Sequence, residues 1–230
     1  MRTGQYKNSI ITALGHAGFL IEFPDLNLSF AFDPYDLQEI EKTVDFVFVS
    51  HHHFDHCDPA SIKKLMSEKT KIIAPENCRD ELEEFNDAVV ITDGVEKQTF
   101  GALTFWAIPA YNINKFRTPS EVFHPRSLGG LGFIVEIASS SGKNVRFYHA
   151  GDTDFIEEIK ELKKIDVAFL PISGTFVMTL QEALEAAKAI QPDIVIPMHF
   201  GKLLGSSADA VRYQNLLRGQ VETMVLTTTE

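Results

Sequence analysis

The chain has 230 residues, 44% of them hydrophobic, with 21 basic against 32 acidic side chains and a formal net charge of −11. That length holds one large domain with ample apolar material for a core, and a charged fraction of 23% excludes a disordered or collagen-like chain. The acidic balance argues against a broad electrostatic grip on nucleic acid, and no apolar run reaches the roughly 18 residues that span a bilayer. Residues 1–7 lack the apolar stretch of a secretory signal, and two cysteines suit a reducing compartment. The expectation is a cytoplasmic protein without a membrane partner or a nucleic-acid partner.

The opening third reads as strands: 9–14, 19–23 and 28–32 are short, β-branched or aromatic, and separated by turn residues such as Gly15, Gly18, Pro24 and Asn27. A buried strand over 46–49 runs into a cluster of histidines. Asp58-Pro59 caps and opens a predicted helix over 59–68, with Pro at its first helical position. A strand at 71–74 and a helix at 76–86 follow. Strand patterns come next at 88–91, 97–100, 103–109, 131–137 and 144–149. The second half alternates again, with helix 155–164, strand 167–170, and helix 180–190 announced by the capping box Thr179 and Glu182. Strand 194–198, a helix near 207–218 and a last strand near 222–227 complete the chain. No Pro/Gly/Ser-rich linker divides it, so the expectation is one domain over 1–230, with two sheets packed together and helices outside. Residues 112–130 form the longest stretch without clear periodicity, and loops of that length are often functional.

The chemistry concentrates at His51-His52-His53-Phe54-Asp55-His56, directly after a predicted buried strand. In extended backbone, residues two apart share a face, so His51 and His53 converge while His52 points away. Asp55 and His56 address a neighbouring point as the chain turns into the next helix. A transition metal takes three or four N, O or S donors at about 2.0–2.2 Å, and imidazoles with a carboxylate are a common set. Packing alone explains such a cluster poorly, because buried imidazoles without a cation leave polar nitrogens unsatisfied.

The pattern His51-x-His53-x-Asp55-His56 resembles the HxHxDH motif of the metallo-β-lactamase superfamily, and the resemblance extends over nearly the whole chain. Leu14-Gly15-His16-Ala17 with Asp33-Pro34 looks like the entry of the ascorbate-6-phosphate lactonase-like branch. Gly151-Asp152-Thr153 resembles the superfamily's downstream aspartate motif, and Pro197-Met198-His199 its final histidine motif. The stretch 110–152, with Ala110-Tyr111-Asn112, Phe123-His124-Pro125 and Tyr148-His149, is similar to a group of uncharacterised prokaryotic metal-dependent hydrolases.

The resemblance implies an α/β, four-layer αββα sandwich of two mixed sheets with helices outside. It gives His51 and His53 to a first metal, Asp55, His56 and His199 to a second, and Asp152 to the bridge, with Asp55 and Asp152 as the catalytic carboxylates. The implied reaction is hydrolysis of a small ester, lactone or phosphoester by a metal-bridging hydroxide. Zinc is the default metal, one or two per chain, and manganese and iron accept the same donor set.

One position departs from the pattern. The superfamily supplies a third histidine to the first metal where this chain has Asn112, whose amide oxygen is a weaker, neutral donor. Three outcomes stay open: Asn112 ligates poorly, His124 folds in from the loop, or the first site is partly filled. The His124 outcome is favoured, because a reach of that length within one loop closes easily.

Around these ligands, His16, Asp33 and His149 are weighed as orienting ligands or meeting substrate against plain structural roles. Asp33 would accept from a metal-bound imidazole. Lys115, Arg117, Arg126 and Lys202 are weighed as receivers of an anionic small-molecule substrate against plain surface solvation. Cys57 reads as a small buried residue. Two other readings stand beside the hydrolase: a phosphodiesterase or nuclease, which would need a basic track, and a non-enzymatic metal binder with a degraded first site. The apolar fraction also permits a homo-oligomer.

Overall fold

The computed structural model describes residues 2–38, 40–138 and 142–226. By internal contacts the chain divides into two compact units, residues 1–92 with 226–230 and residues 93–225. Each unit builds one seven-stranded mixed sheet on the same plan. This is an α/β architecture of two large mixed sheets with few helices, as the resemblance implies.

In the first unit the strands lie in sequence order: β1 Thr3–Tyr6, β2 Ser9–Gly15, β3 Gly18–Phe23, β4 Leu28–Phe32, β5 Phe46–Phe48, β6 Lys71–Ala74 and β7 Val89–Ile91. Strands β1 to β4 pair antiparallel through short turns, and β4 to β7 pair parallel. Parallel pairs need a crossover. Between β5 and β6 it is helix α1, Pro59–Leu65, whose N-cap Asp58 accepts from Ala60 N–H. One face of the sheet places Leu20, Ala31, Val47 and Ile72 in a cluster with Ile62 and Leu65 of α1. The alternate residues Phe30, Phe32 and Phe48 are equally buried and pack ring against ring, with Phe30 and Phe32 5.5 Å apart. Both faces are therefore covered, which explains why β2, β3 and β4 read as near-continuous apolar runs.

In the second unit the strands are β8 Gln98–Phe100, β9 Leu103–Pro109, β10 Phe116–Thr118, β11 Glu121–Val122, β12 Leu131–Ile137, β13 Val145–His149, β14 Val167–Pro171, β15 Ile194–Met198 and β16 Glu222–Thr223. The large sheet runs β16-β15-β14-β13-β12-β9-β8, antiparallel from β8 to β13 and parallel from β13 to β16. Helices α2 Glu157–Lys160, α3 Leu180–Ile190 and α4 Ser207–Leu217 serve the parallel connections. The capping box at Thr179 forms as the sequence suggests, with Thr179 Oγ1 accepting from Glu182 N–H and the Glu182 carboxylate accepting from Thr179 N–H. Tyr213 of α4 donates to Ala183 O of α3 at 2.8 Å, so a fully buried phenol keeps a partner.

Four expectations need correction. Residues 76–86 form no α-helix. They make two 3-10 turns, Glu76–Cys78 and Glu83–Phe85, which still bury Cys78, Leu82 and Phe85. Asn77, Asp80 and Asn86 favour local turn conformations over a helix interior, and the backbone bonds close mostly at i→i−3. The helix expected over 155–164 shrinks to α2, and Lys164 takes a left-handed φ of 59° that ends the segment. The last strand is only β16, and residue 227 lies outside the described residues. The stretch 112–130 is not wholly irregular, since β10 and β11 pair as a small hairpin. Strand β1, which has no apolar alternation, escaped the sequence reading. Among the described residues no helix is long and apolar enough to cross a membrane.

Candidate metal centre

Each unit changes from antiparallel to parallel pairing once, at β4/β5 in the first and at β13/β14 in the second. Loops leaving the carboxyl ends of strands at such a change point are free to converge, which is where α/β sheets place ligands. The motif residues lie there: Asp33 after β4, the histidine cluster after β5, Asp152 after β13 and His199 after β15.

In the first unit, β5 ends at Phe48, so His51 to His56 are not extended strand as expected. Residues 53–57 turn sharply, with His56 and Cys57 N–H both donating to His53 O. The turn still brings His51 Nε2 to 3.0 Å from His53 Nδ1. Asp33 organises the group. Its carboxylate, 1% exposed, accepts from Ser50 N–H at 2.7 Å, from Ser50 Oγ at 2.6 Å and from His56 Nδ1 at 2.7 Å. Ser50 spends its proton on Asp33 and so accepts from His51 Nδ1, 3.0 Å away. Two imidazoles are thereby held with Nδ1 protonated, which leaves Nε2 as the lone-pair nitrogen of each neutral ring. His16 Nε2 lies 3.0 Å from Asp55 Oδ2, and ligand atoms of His16, Asp55 and His56 fall within 4.8 Å of one another. The turn that carries His16 is tight: a Cβ on Gly18 would stand 2.8 Å from Asp33 O. His52 is half-buried with its ring 4.7 Å from that of His53, and Cys57 is buried in the core.

In the second unit, Asp152 Oδ2 stands 3.3 Å from His124 Nε2 and 3.3 Å from His199 Nε2, all three residues being at most 4% exposed. That separation is long for a charge-assisted hydrogen bond of about 2.7–2.9 Å, and close to what two ligands show when each sits ~2.0–2.2 Å from one cation. His199 Nδ1 meets Ser173 Oγ at 3.1 Å. His149 is fully buried, and its Nδ1 accepts from Gly151 N–H at 3.3 Å, fixing the turn that leads to Asp152.

Asn112 does not turn its amide outward. Its oxygen accepts from His124 N–H and faces His124 Nδ1, both at 2.9 Å, and its nitrogen donates to Asp154 and to Phe176 O. His16, Asp33 and His199 all carry a left-handed backbone, with φ of 49°, 37° and 58°. Such strain costs about 1–2 kcal/mol per residue and concentrates at functional positions.

The basic residues sort differently from expectation. Lys115 is buried, bonded to Asp154 at 3.0 Å and Glu182 at 2.7 Å, so it belongs to the scaffold and not to a substrate. Its contacts lie 39 and 67 positions along the chain, and no local pattern reveals them. Arg126 pairs with Glu158 at 2.9 Å and lies over the Tyr111 ring, while Lys202 is exposed. Ser50, Ser173 and Asp154 were not singled out from sequence. Ser50 and Ser173 share a signal, a polar side chain two residues beyond a fully buried strand, while Asp154 carries none.

Burial alone would raise the Glu182 carboxyl. Hydrogen bonds from Asn114, Lys115 and Thr179 outweigh that and hold it down at about 2. A depressed carboxyl stabilises the fold above its ordinary value of 4.5, and this stabilisation is lost as pH falls from there toward 2. Urea unfolding of the protein and its Glu182→Gln variant should show a stability gap that narrows across that window. A constant gap would contradict the assignment.

Residues 10–199 match the Beta-lactamase superfamily domain, and the chain belongs to that superfamily. A UPF0173 metal-dependent hydrolase of Carboxydothermus hydrogenoformans is 31% identical over 89% of this chain and 90% of its own. One from Thermofilum pendens is 30% identical over 93% and 92%. Within the superfamily, the chain is a member of this family of metal-dependent hydrolases. A crystal structure from Parabacteroides distasonis has the same fold, with TM-score 0.80 and 26% identity over 99% of this chain and 98% of that one. The resemblance drawn from the His51 to His56 motif therefore holds for the family and the fold.

Proposed function

We propose that this metal-dependent hydrolase cleaves a small ester, lactone or phosphoester in the cytoplasm, at a binuclear metal centre. The observation that carries this reading is Asp152, whose Oδ2 faces the Nε2 atoms of His124 and His199 at equal distance. A carboxylate so placed suits a bridge, because a single oxygen stands beside a donor nitrogen of each proposed cation. His51, His53 and His124 would hold a first cation, and Asp55, His56 and His199 a second. Zinc suits this donor set, and manganese or iron would accept it. Cations held there supply a nucleophile from water and Lewis-acid stabilisation of the oxygen that gains charge.

The chain's own part is to hold these donors in one protonation pattern. Asp33, Ser50 and Ser173 orient three of the imidazoles, and His16 steadies Asp55. No Ser-His-Asp or Cys-His nucleophile is required. Lys202 and Arg126, three and two residues beyond His199 and His124, are the cations closest in sequence for an anionic group on the substrate.

The test is a panel of carboxylic esters, lactones and phosphate esters, assayed on protein stripped with chelator and on protein reloaded with zinc, manganese or iron(II). Turnover of at least one class, lost on stripping and restored by reloading, is expected. Protein holding two cations per chain yet inert across the panel would contradict the proposal.

A further inference from the structure

The Asn112 amide has four hydrogen-bonding positions, and neighbours of fixed character fill all of them. On the nitrogen side stand Asp154 Oδ1 at 3.2 Å and Phe176 O at 2.9 Å, a carboxylate and a backbone carbonyl that accept. On the oxygen side stands His124 N–H at 2.9 Å, a backbone donor. These three groups settle which way the amide points without reference to the imidazole. The oxygen is an acceptor only, so the fourth neighbour, His124 Nδ1 at 2.9 Å, must carry a proton. In the neutral ring the lone pair then belongs to Nε2, the atom that faces Asp152.

The amide itself is held from behind. Asp154, fully buried, accepts from Ile113 N–H at 2.7 Å and from Asn114 N–H at 2.9 Å, and it is paired with Lys115, which reaches on to Glu182 of α3. Asn112 N–H also donates to His124 O at 2.8 Å, so backbone and side chain both clamp the two residues together.

We propose that Asn112 is a positioning residue that fixes the tautomer and direction of His124. A histidine at 112 could not do this, since it offers no carbonyl oxygen for two donors and no second amide proton for Phe176 O. The proposal rests on the reading of His124 as a metal donor, and it makes Asn112 the reason that a donor supplied from 124 can work. The Asp154–Lys115–Glu182 chain anchors that positioning to α3.

Long-range ¹H–¹⁵N NMR of the metal-free full-length protein, in mildly alkaline buffer, reads the tautomer directly. His124 should show a protonated Nδ1, whichever proton Nε2 shares with Asp152 in the absence of metal. In Asn112→Ala, kept folded as judged by circular dichroism, the ring should shift toward the protonated-Nε2 form, with zinc affinity lower by about 10–100-fold. Asn112→Asp retains an acceptor for His124. It should keep the wild-type tautomer at a lower Tm, because its charge faces Asp154. A purely structural role would lower Tm in both variants and move the tautomer in neither. An unprotonated Nδ1 in the wild-type protein, or an unchanged tautomer in Asn112→Ala, would overturn the proposal. Separately, His124→Ala should bind one cation fewer. Full metal content in that variant would overturn the donor reading even if the tautomer result stood.

Discussion

Replacing Asp152 with alanine is expected to abolish turnover, with kcat/KM falling by at least about 10³-fold, and to release bound metal. The size follows from its position. Asp152 is 4% exposed and is the carboxylate that His124 Nε2 and His199 Nε2 share. Without it, two buried imidazoles lose the carboxylate beside them, and cations held by the remaining donors would lose charge compensation in a buried site. The stripped variant should be no less stable than the stripped parent by more than ~1–2 kcal/mol, since removal of a buried acceptor leaves few donors unpaired. Metal content by mass spectrometry, turnover on whichever substrate the panel identifies, and urea unfolding read the three quantities. A variant with both cations and wild-type turnover would remove Asp152 from the centre.

The second large effect is on stability. Asp33→Ala removes one carboxylate and strands three donors, Ser50 N–H, Ser50 Oγ and His56 Nδ1, all inside the first unit. Deleting one partner of a buried charged group typically costs about 3–5 kcal/mol. The left-handed φ of 37° at this position adds strain, because alanine tolerates that region less well than Asp or Asn. Asp33→Asn should lose less, since its amide oxygen can still accept from Ser50 Oγ and His56 Nδ1 and the backbone region is permitted, although its nitrogen then faces Ser50 N–H. The two variants, compared by urea unfolding of metal-free protein, should therefore rank wild type, Asn, Ala in stability. A loss in Asp33→Ala below ~1 kcal/mol would mean that the hydrogen bonds do not set the cost.

Much of the fold was legible because burial and periodicity coincide in it. Strands 71–74, 103–109, 131–137 and 194–198 appear at the predicted bounds, and the Thr179 capping box located α3. Where the two signals part, the reading failed. Cys78, Leu82 and Phe85 sit at helical spacing, yet the intervening Asn and Asp residues favour turns, and only a tertiary contact decides between the two. Strand β1 is mostly exposed and polar, and only its pairing with β2 makes it a strand.

The site divides in the same way. Six side chains at His51, His53, Asp55, His56, Asp152 and His199 were nameable because a motif fixes donor type and spacing together. The convergence of His51 with His53 was inferred from strand alternation, but a turn closed at His53 produces it. The direction of the Asn112 amide was not legible. It depends on Asp154 and Phe176, 42 and 64 positions away, and no local feature of the loop announces either. Lys115 failed for the same reason: a lysine in a loop reads as solvated until its two carboxylates are placed around it.

The most direct test of the proposed metal centre is a metal-loaded crystal with anomalous density collected at the metal absorption edge. Two peaks about 3.5–4 Å apart are expected, one met by His51, His53 and His124 and the other by Asp55, His56 and His199, with Asp152 on both. Anomalous density met by the Asn112 amide oxygen in place of His124, or none at all among these donors in fully loaded protein, would contradict it.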